Sequence, residues 1–224
     1  MTDNIARFID HTLVRPDATQ AQIAQLCQEA RDLSLAGVAV NTVHTEFASR
    51  LTKGSGIAVV SAIAFPLGAV CSKVKACEAE QALADGATEL DMVINIGALK
   101  GGQYDLVEQD IAAIAHLCHA AGALCKAILE TGLLTDEEKV TACQLAESAR
   151  ADYVKTCTGF GPAGATVHDV ALMRRTVGDR LGVKAAGGIR TYQEAVALLG
   201  AGATRLGVSA TSSLQIVRDG RSLK

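Results

Sequence analysis

A parallel eight-stranded (β/α)8 barrel with its helices outside, the TIM-barrel form of α/β protein, is the fold this sequence predicts, and three observations predict it. Short β-branched runs alternate with longer stretches of helical period from residue 8 to the last third of the chain. Strict strand-then-helix alternation produces parallel strands. Neither a low-complexity linker nor a shift in composition divides the chain, so residues 1–224 read as a single domain. Eight βα units without a break suit a closed barrel better than an open doubly wound sheet. With 49% hydrophobic residues, the chain can fill both the barrel and the layer beneath its helices.

The strand candidates lie near residues 8–13, 37–41, 57–64, 88–95, 123–130, 152–157, 182–186 and 203–208. After the first, Ile23, Leu26, Cys27 and Ala30 recur at helical spacing, and after the fourth so do Val107, Ile111, Ile114, Cys118 and Ala121. Thr135-Asp136-Glu137-Glu138 is a capping box with acidic residues in the first turn of the helix after strand five. Gly37, Gly86 and Gly122 are placed to end helices in the left-handed conformation. Gly-Ala pairs at 86–87, 122–123 and 202–203 mark the same helix-to-strand joint.

Composition removes several function classes. The longest apolar runs, such as Ile57 to Ala64, fall short of the ~18 to 20 residues that span a bilayer, and no basic segment precedes an apolar one at the N-terminus. We therefore expect a cytoplasmic protein with no membrane contact. A net charge of −3 and 3% aromatic residues leave no basic stripe or stacking platform for nucleic acid. Seven cysteines, an odd number without paired spacing, argue against a disulfide framework. His116, Cys118 and His119 do not share a helix face, which argues against a metal site there. The expected partner is a small molecule, and a homo-oligomer is compatible with the sequence.

Side chains alternate across a strand, so one residue fixes its neighbours. On strand four, Leu90, Met92 and Ile94 pack under the helices, which turns Glu89, Asp91, Val93 and Asn95 inward. Strand five then aims Lys126, Ile128 and Glu130 inward, strand six Tyr153, Lys155 and Cys157, and strand seven Lys184. On strand one, Asp10 and Thr12 face inward, and His11 faces the helices as a structural histidine. Lysine is depleted in strands and is rarely buried without a partner or a task. A single one of these lysines could bury its stem and reach solvent with its ammonium. Three in adjacent strands mark a reaction site at the carboxyl ends of the strands, where barrel enzymes work.

A lysine becomes a nucleophile only as the neutral amine, which burial and a neighbouring like charge both favour. Lys184 supplies that charge to Lys155, which attacks a carbonyl to form an iminium. Asp91 is the candidate for moving protons. Thr158-Gly159-Phe160-Gly161, Ala186-Gly187-Gly188-Ile189 and Leu206-Gly207-Val208-Ser209 each follow one of the last three strands, and backbone amides at such places hold an anion. The substrate is expected to be a phosphorylated carbonyl compound. Thr158, Gly159, Gly187, Gly188, Gly207 and Ser209 are assigned to binding it, together with the inward Asp10, Thr12 and Lys126.

These residues resemble the deoxyribose-phosphate aldolases. The likeness runs over nearly the whole chain: Asp10-His11-Thr12-Leu13, Phe65-Pro66-Leu67-Gly68, Glu89 to Gly97, Ile128 to Leu134, Val154-Lys155-Thr156, and Val183-Lys184 with Gly187-Gly188-Ile189-Arg190. The resemblance implies a metal-independent class I aldolase without a cofactor. Its reaction would be the reversible cleavage of 2-deoxyribose 5-phosphate to glyceraldehyde 3-phosphate and acetaldehyde. It implies that Lys155 forms the Schiff base, Lys184 tunes it and Asp91 relays protons. Ala39 stands where the family often has a cysteine, and Val208 and Ala210 replace small or hydroxylated residues in the phosphate loop. The alternatives are a Schiff-base barrel aldolase for a different sugar phosphate and a phosphate-binding barrel without catalysis.

Overall fold

The structure, a computed structural model, describes residues 4–222; the ends of the 1–224 span, Met1–Asp3 and Leu223–Lys224, lie outside the described residues. Eight strands pair in sequence order: β1 (Ile9–Leu13), β2 (Gly37–Asn41), β3 (Ala58–Ile63), β4 (Glu89–Val93), β5 (Leu124–Ile128), β6 (Tyr153–Lys155), β7 (Gly182–Ala186) and β8 (Arg205–Ser209). All neighbours are parallel, and β1 pairs with β8 to close the barrel. Each observed strand overlaps a predicted run, and the differences are confined to the ends.

Outside lie helices α1 (Gln20–Leu33), α2 (Thr45–Thr52), α3 (Ser72–Ala84), α4 (Ile96–Lys100), α5 (Tyr104–Ala120), α6 (Asp136–Ser148), α7 (Val167–Val177), α8 (Tyr192–Gly200) and α9 (Ala210–Ser222). The apolar stripes read from the sequence meet the barrel: Ile23, Leu26, Cys27 and Ala30 of α1 and Val107, Ile111, Ile114 and Cys118 of α5 are buried, while Ala121 lies past the end of α5 and is exposed. Each such Ile or Leu stabilises the fold by about 1.5–3 kcal/mol relative to leaving it in water. The capping box forms at α6, where Thr135 accepts from Glu138 N and Glu138 from Thr135 N. No helix among the described residues is long and apolar enough to cross a membrane.

Three local expectations are corrected. Gly37 opens β2, and Ser34, with φ 54°, ends α1 in the left-handed conformation. Asn95 does not point into the barrel, because β4 stops at Val93 and Asn95 instead caps α4 by accepting from Ala98 N at 3.0 Å. Cys157 lies beyond the end of β6, and its thiol packs against Thr131 Oγ1 at 3.4 Å. For Asn95 and Cys157, strand alternation was carried past the point where the strand ends. His11 is buried among helices as expected, with Nε2 2.9 Å from Glu29 of α1 and Nδ1 hydrogen-bonded to Ser213 of α9.

Candidate active site

At the carboxyl ends of the strands a cavity of about 890 Å³ opens, and its floor carries Asp91 and Lys155. Strand register brings these two together with Lys126 and Lys184. Asp91 lies opposite Lys126 across β4 and β5, and Lys155 opposite Lys184 across β6 and β7. Asp91 is the hub. Its Oδ2 accepts from Lys155 Nζ at 2.7 Å and from Lys184 Nζ at 2.6 Å, while Oδ1 accepts from Lys126 Nζ at 2.8 Å.

All four side chains are buried, and Lys155 is the lysine that reaches the cavity. Burial would raise the Asp91 carboxyl, but the three ammonium groups outweigh it and hold Asp91 well below the usual carboxylate range. For Lys155 the balance falls the other way. Burial lowers it most, the Asp91 charge opposes, and Lys184 and Lys126 repel the ammonium, leaving its pKa at about 8. Lys126 is also buried, yet Asp91, Glu89 and Asp10 more than compensate and raise it. An amine with a pKa near 8 is partly neutral at physiological pH and can attack a carbonyl.

Asp10 and Lys126, expected to touch substrate, stand below the cavity floor. Asp10 is fully buried, with Oδ2 2.6 Å from Lys184 Nζ and Oδ1 accepting from Arg205 Nε at 2.7 Å. The Lys184 contact is an ion pair and not an aligned hydrogen bond, so Oδ2 has no hydrogen-bond donor. Burial would raise Asp10, but Lys184 and Arg205 bring it down to about 2. Alternation correctly turned both residues inward but could not give their depth.

The glycine-bearing stretches line the opposite side of the cavity. Gly187 and Gly188 have φ values of 93° and 75°, which side chains rarely adopt, and both face the cavity at the turn before α8. Gly159 and Thr158 line it from the loop after β6. The Thr158 hydroxyl is engaged: it donates to Glu130 Oε2 and accepts from Phe160 N at 3.0 Å. Gly207 lies inside β8 and not in a loop, and it lines the cavity. A Cβ there would stand 2.8 Å from Ala186 Cβ and 3.2 Å from Lys184 Cε, so the missing side chain makes room for the Lys184 stem. Ser209 ends β8, and its hydroxyl donates to Ser212 Oγ at 3.0 Å as α9 begins. Thr12 lines the near wall, its Oγ1 donating to Asp10 O at 3.0 Å.

Sequence reasoning assigned no role to four contributors. Arg205 reaches Asp10 and Glu89 from β8, and alternation would have found it, because buried Leu206 and Val208 force Arg205 inward. Arg190 lines the cavity beyond Gly188, without a strand period to reveal it. Phe65 and Phe160 meet edge to face at 5.5 Å across the mouth, from loops 95 positions apart in the chain. Metal-like donors occur elsewhere. Asp136, His168 and Asp169 cluster at the α6–α7 surface, but both carboxylates are already bonded to Lys139, at 3.0 and 2.7 Å.

The chain matches the model of the "DeoC/LacD family aldolase" over residues 5–211. It is 56% identical to the deoxyribose-phosphate aldolase of Streptococcus sanguinis over 204 residues, covering 91% of this chain and 92% of that protein. It is 52% identical to that of Thermococcus gammatolerans over 221 residues, covering 98% and 97%. Among solved structures, the deoxyribose phosphate aldolase from Aeropyrum pernix, described as a unique tetrameric structure, superposes with a TM-score of 0.91 at 33% identity, covering 99% of this chain and 93% of that one. With a buried lysine–aspartate centre at the mouth of its barrel and this likeness over most of its length, the chain belongs to the DeoC/LacD family of aldolases.

Proposed function

We propose that this aldolase cleaves 2-deoxy-D-ribose 5-phosphate reversibly to D-glyceraldehyde 3-phosphate and acetaldehyde through a Schiff base on Lys155, the whole chain acting as one catalytic domain. The observation that carries the reading is Lys155 Nζ on the cavity floor, 2.7 Å from a carboxylate it shares with two other ammonium groups. The neutral amine attacks C1 of the open-chain sugar to form a carbinolamine. Loss of water, with a proton delivered to the departing hydroxyl, forms the iminium. The C3 hydroxyl then loses its proton and the C2–C3 bond breaks, its electron pair passing into the iminium to form the enamine. Glyceraldehyde 3-phosphate leaves, C2 is protonated, and water releases acetaldehyde.

Asp91 is positioned to pass these protons, directly or through water, and Lys184 on the same Oδ2 is an adjacent source. The iminium is itself the electron sink, so these steps need neither metal nor cofactor. Gly187, Gly188 and Gly159 offer backbone to the phosphate, with Ser209 at the start of α9 and Arg190 beside them. Thr12 faces the sugar from the opposite wall. Asp10 and Lys126 act indirectly, as supports of Lys184 and Asp91, while Gly207 both lines the cavity and leaves room for the Lys184 stem.

A cytoplasmic setting accords with a phosphorylated substrate, which does not cross a bilayer unaided. A homo-oligomer is part of the same reading, supported by the exposed apolar side chains Val43, Leu67 and Val74. The test is to incubate the enzyme with acetaldehyde, reduce with borohydride and map the modified peptide by mass spectrometry. A two-carbon adduct on Lys155 is expected, and Lys155→Ala should remove it. Labelling by ketones alone would favour an aldolase for a different sugar phosphate, and no label would leave a binding barrel.

A further inference from the structure

The contacts beneath the cavity close on themselves. Arg205 Nε bonds Asp10 Oδ1 at 2.7 Å, and Asp10 Oδ2 meets Lys184 Nζ at 2.6 Å. Lys184 and Lys126 meet on Asp91, at 2.6 and 2.8 Å. Lys126 Nζ then meets Glu89 Oε2 at 2.5 Å, and Glu89 returns to Arg205 Nη2 at 2.9 and 3.0 Å. The result is a ring of alternating charge, three cations and three anions, drawn from β1, β4, β5, β7 and β8. Lys155 is attached to this ring through Asp91 alone.

Charge counting then distinguishes the lysines. The ring is neutral without Lys155, and a protonated Lys155 leaves one uncompensated positive charge in a buried site, where it is costly. Lys126 and Lys184 each touch two carboxylates, whereas Lys155 touches one that is already shared. Lys155 therefore gives up its proton first. We propose that Arg205 and Glu89, neither of which lines the cavity, are positioning residues that close the ring, hold it neutral, and so select Lys155 as the reactive amine.

Beyond Lys155, no charged side chain among the described residues is bonded to the ring; the nearest unbonded charges are Arg190, which lines the cavity, and Glu130, a buried carboxylate. β2 and β3 present Ala39, Val60 and Ala62 to the cavity. Glu130, just past β5, is turned to Thr158. Tyr153, on the same strand as Lys155, has its ring centroid 6.0 Å from Lys126 Nζ.

The inference rests on Lys155 being the Schiff-base residue, and its test separates the two ideas. The rate of borohydride-trapped adduct formation with acetaldehyde is measured from pH 5.5 to 10, with the modified residue identified each time. In the parent the rate should rise with pH as Lys155 loses its proton. Arg205→Met leaves the ring one positive charge short, so Lys155 keeps its proton longer and the rise should move up by about one pH unit, the effect of one charge about 10 Å away at an effective dielectric near ~20. Glu89→Gln should move it down by a similar amount. The Arg205→Met/Glu89→Gln double variant should return it to the parent position, and Arg205→Lys should hold it there even where the rate falls.

Shifts of the same sign in both single variants, or no shift in either with the adduct still on Lys155, would overturn the ring. If Arg205→Met does not fold, Glu89→Gln decides alone: a downward shift supports the ring and an unmoved profile refutes it. An adduct absent from Lys155 in the parent refutes the Schiff-base assignment instead.

Discussion

Lys75 and Lys155 are both buried lysines, 0% and 6% exposed, and they have opposite surroundings. Lys75 lies on α3 beneath the outer layer, with its ammonium 2.9 Å from Asp110 of α5 and donating to Val93 O at the end of β4 at 3.1 Å. It has a carboxylate of its own. Lys155 shares one carboxylate with two competitors and faces a cavity. Burial alone therefore does not make a lysine reactive. The ratio of cations to anions around it does.

Changing each lysine is the most direct way to break this contrast. Lys155→Met should remove the acetaldehyde adduct and lower aldol turnover by at least ~10⁴-fold, as loss of a covalent nucleophile does. The same change should not destabilise the fold. With a folded pKa of about 8 against an ordinary 10.5, the folded state sheds the Lys155 proton before the unfolded state does. Below pH 8 both states are protonated and the folded state carries the full penalty, about 3 kcal/mol; between pH 8 and 10.5 the penalty falls away and stability rises. Lys155→Met should thus raise stability at pH 7 by about 1–3 kcal/mol in urea unfolding, and that gain should shrink toward pH 10.5.

Lys75→Met should do the reverse. It leaves Asp110 charged and buried without its cation, at a cost of about 3–5 kcal/mol, while kcat/KM of the folded fraction stays within about threefold. Equal losses of stability in the two variants would erase the contrast.

Two smaller effects sharpen it. Lys184→Leu removes a competitor for Asp91 and a positive charge roughly 5 Å from Lys155, so at an effective dielectric near ~20 activity should appear about two pH units higher. An unchanged pH profile would remove Lys184 from its tuning role. Ala39, a wall residue of the cavity, should matter least. Ala39→Cys should shorten the half-life in concentrated acetaldehyde several-fold without altering the initial rate, and an unchanged half-life would discard the idea that this wall lacks a route of thiol attack.

Much of the catalytic layer was legible because strand alternation is local. Leu90 and Met92 on one face of β4 are enough to turn Asp91 inward, and the same step places Lys155 and Lys184. Depth was not legible. Whether an inward residue meets the cavity, as Lys155 does, or lies beneath it, as Asp10 and Lys126 do, depends on the stagger of strands around the closed barrel. That stagger is a long-range property. Ends of strands were unreliable for a related reason: Asn95 is directed by the helix it caps and Cys157 by Thr131 just after β5, and neither by the pleat. Gly207 was chosen as a loop glycine, and its importance turned out to be steric, next to the Lys184 stem.

The charged ring also bears on how the barrel folds and how it can have arisen. Its Asp10–Arg205 link spans nearly the whole chain and forms only where β1 meets β8. A chain that has assembled its first seven strands holds Asp10 and Glu89 each with one cation, from Lys184 and Lys126, and without the guanidinium they share. Such an intermediate is penalised until the last strand docks, which favours closure as one cooperative event over a stable partial barrel. The same bookkeeping disfavours building this enzyme from two independently stable half-barrels, since each half would carry a fragment of the ring with its charges unmatched.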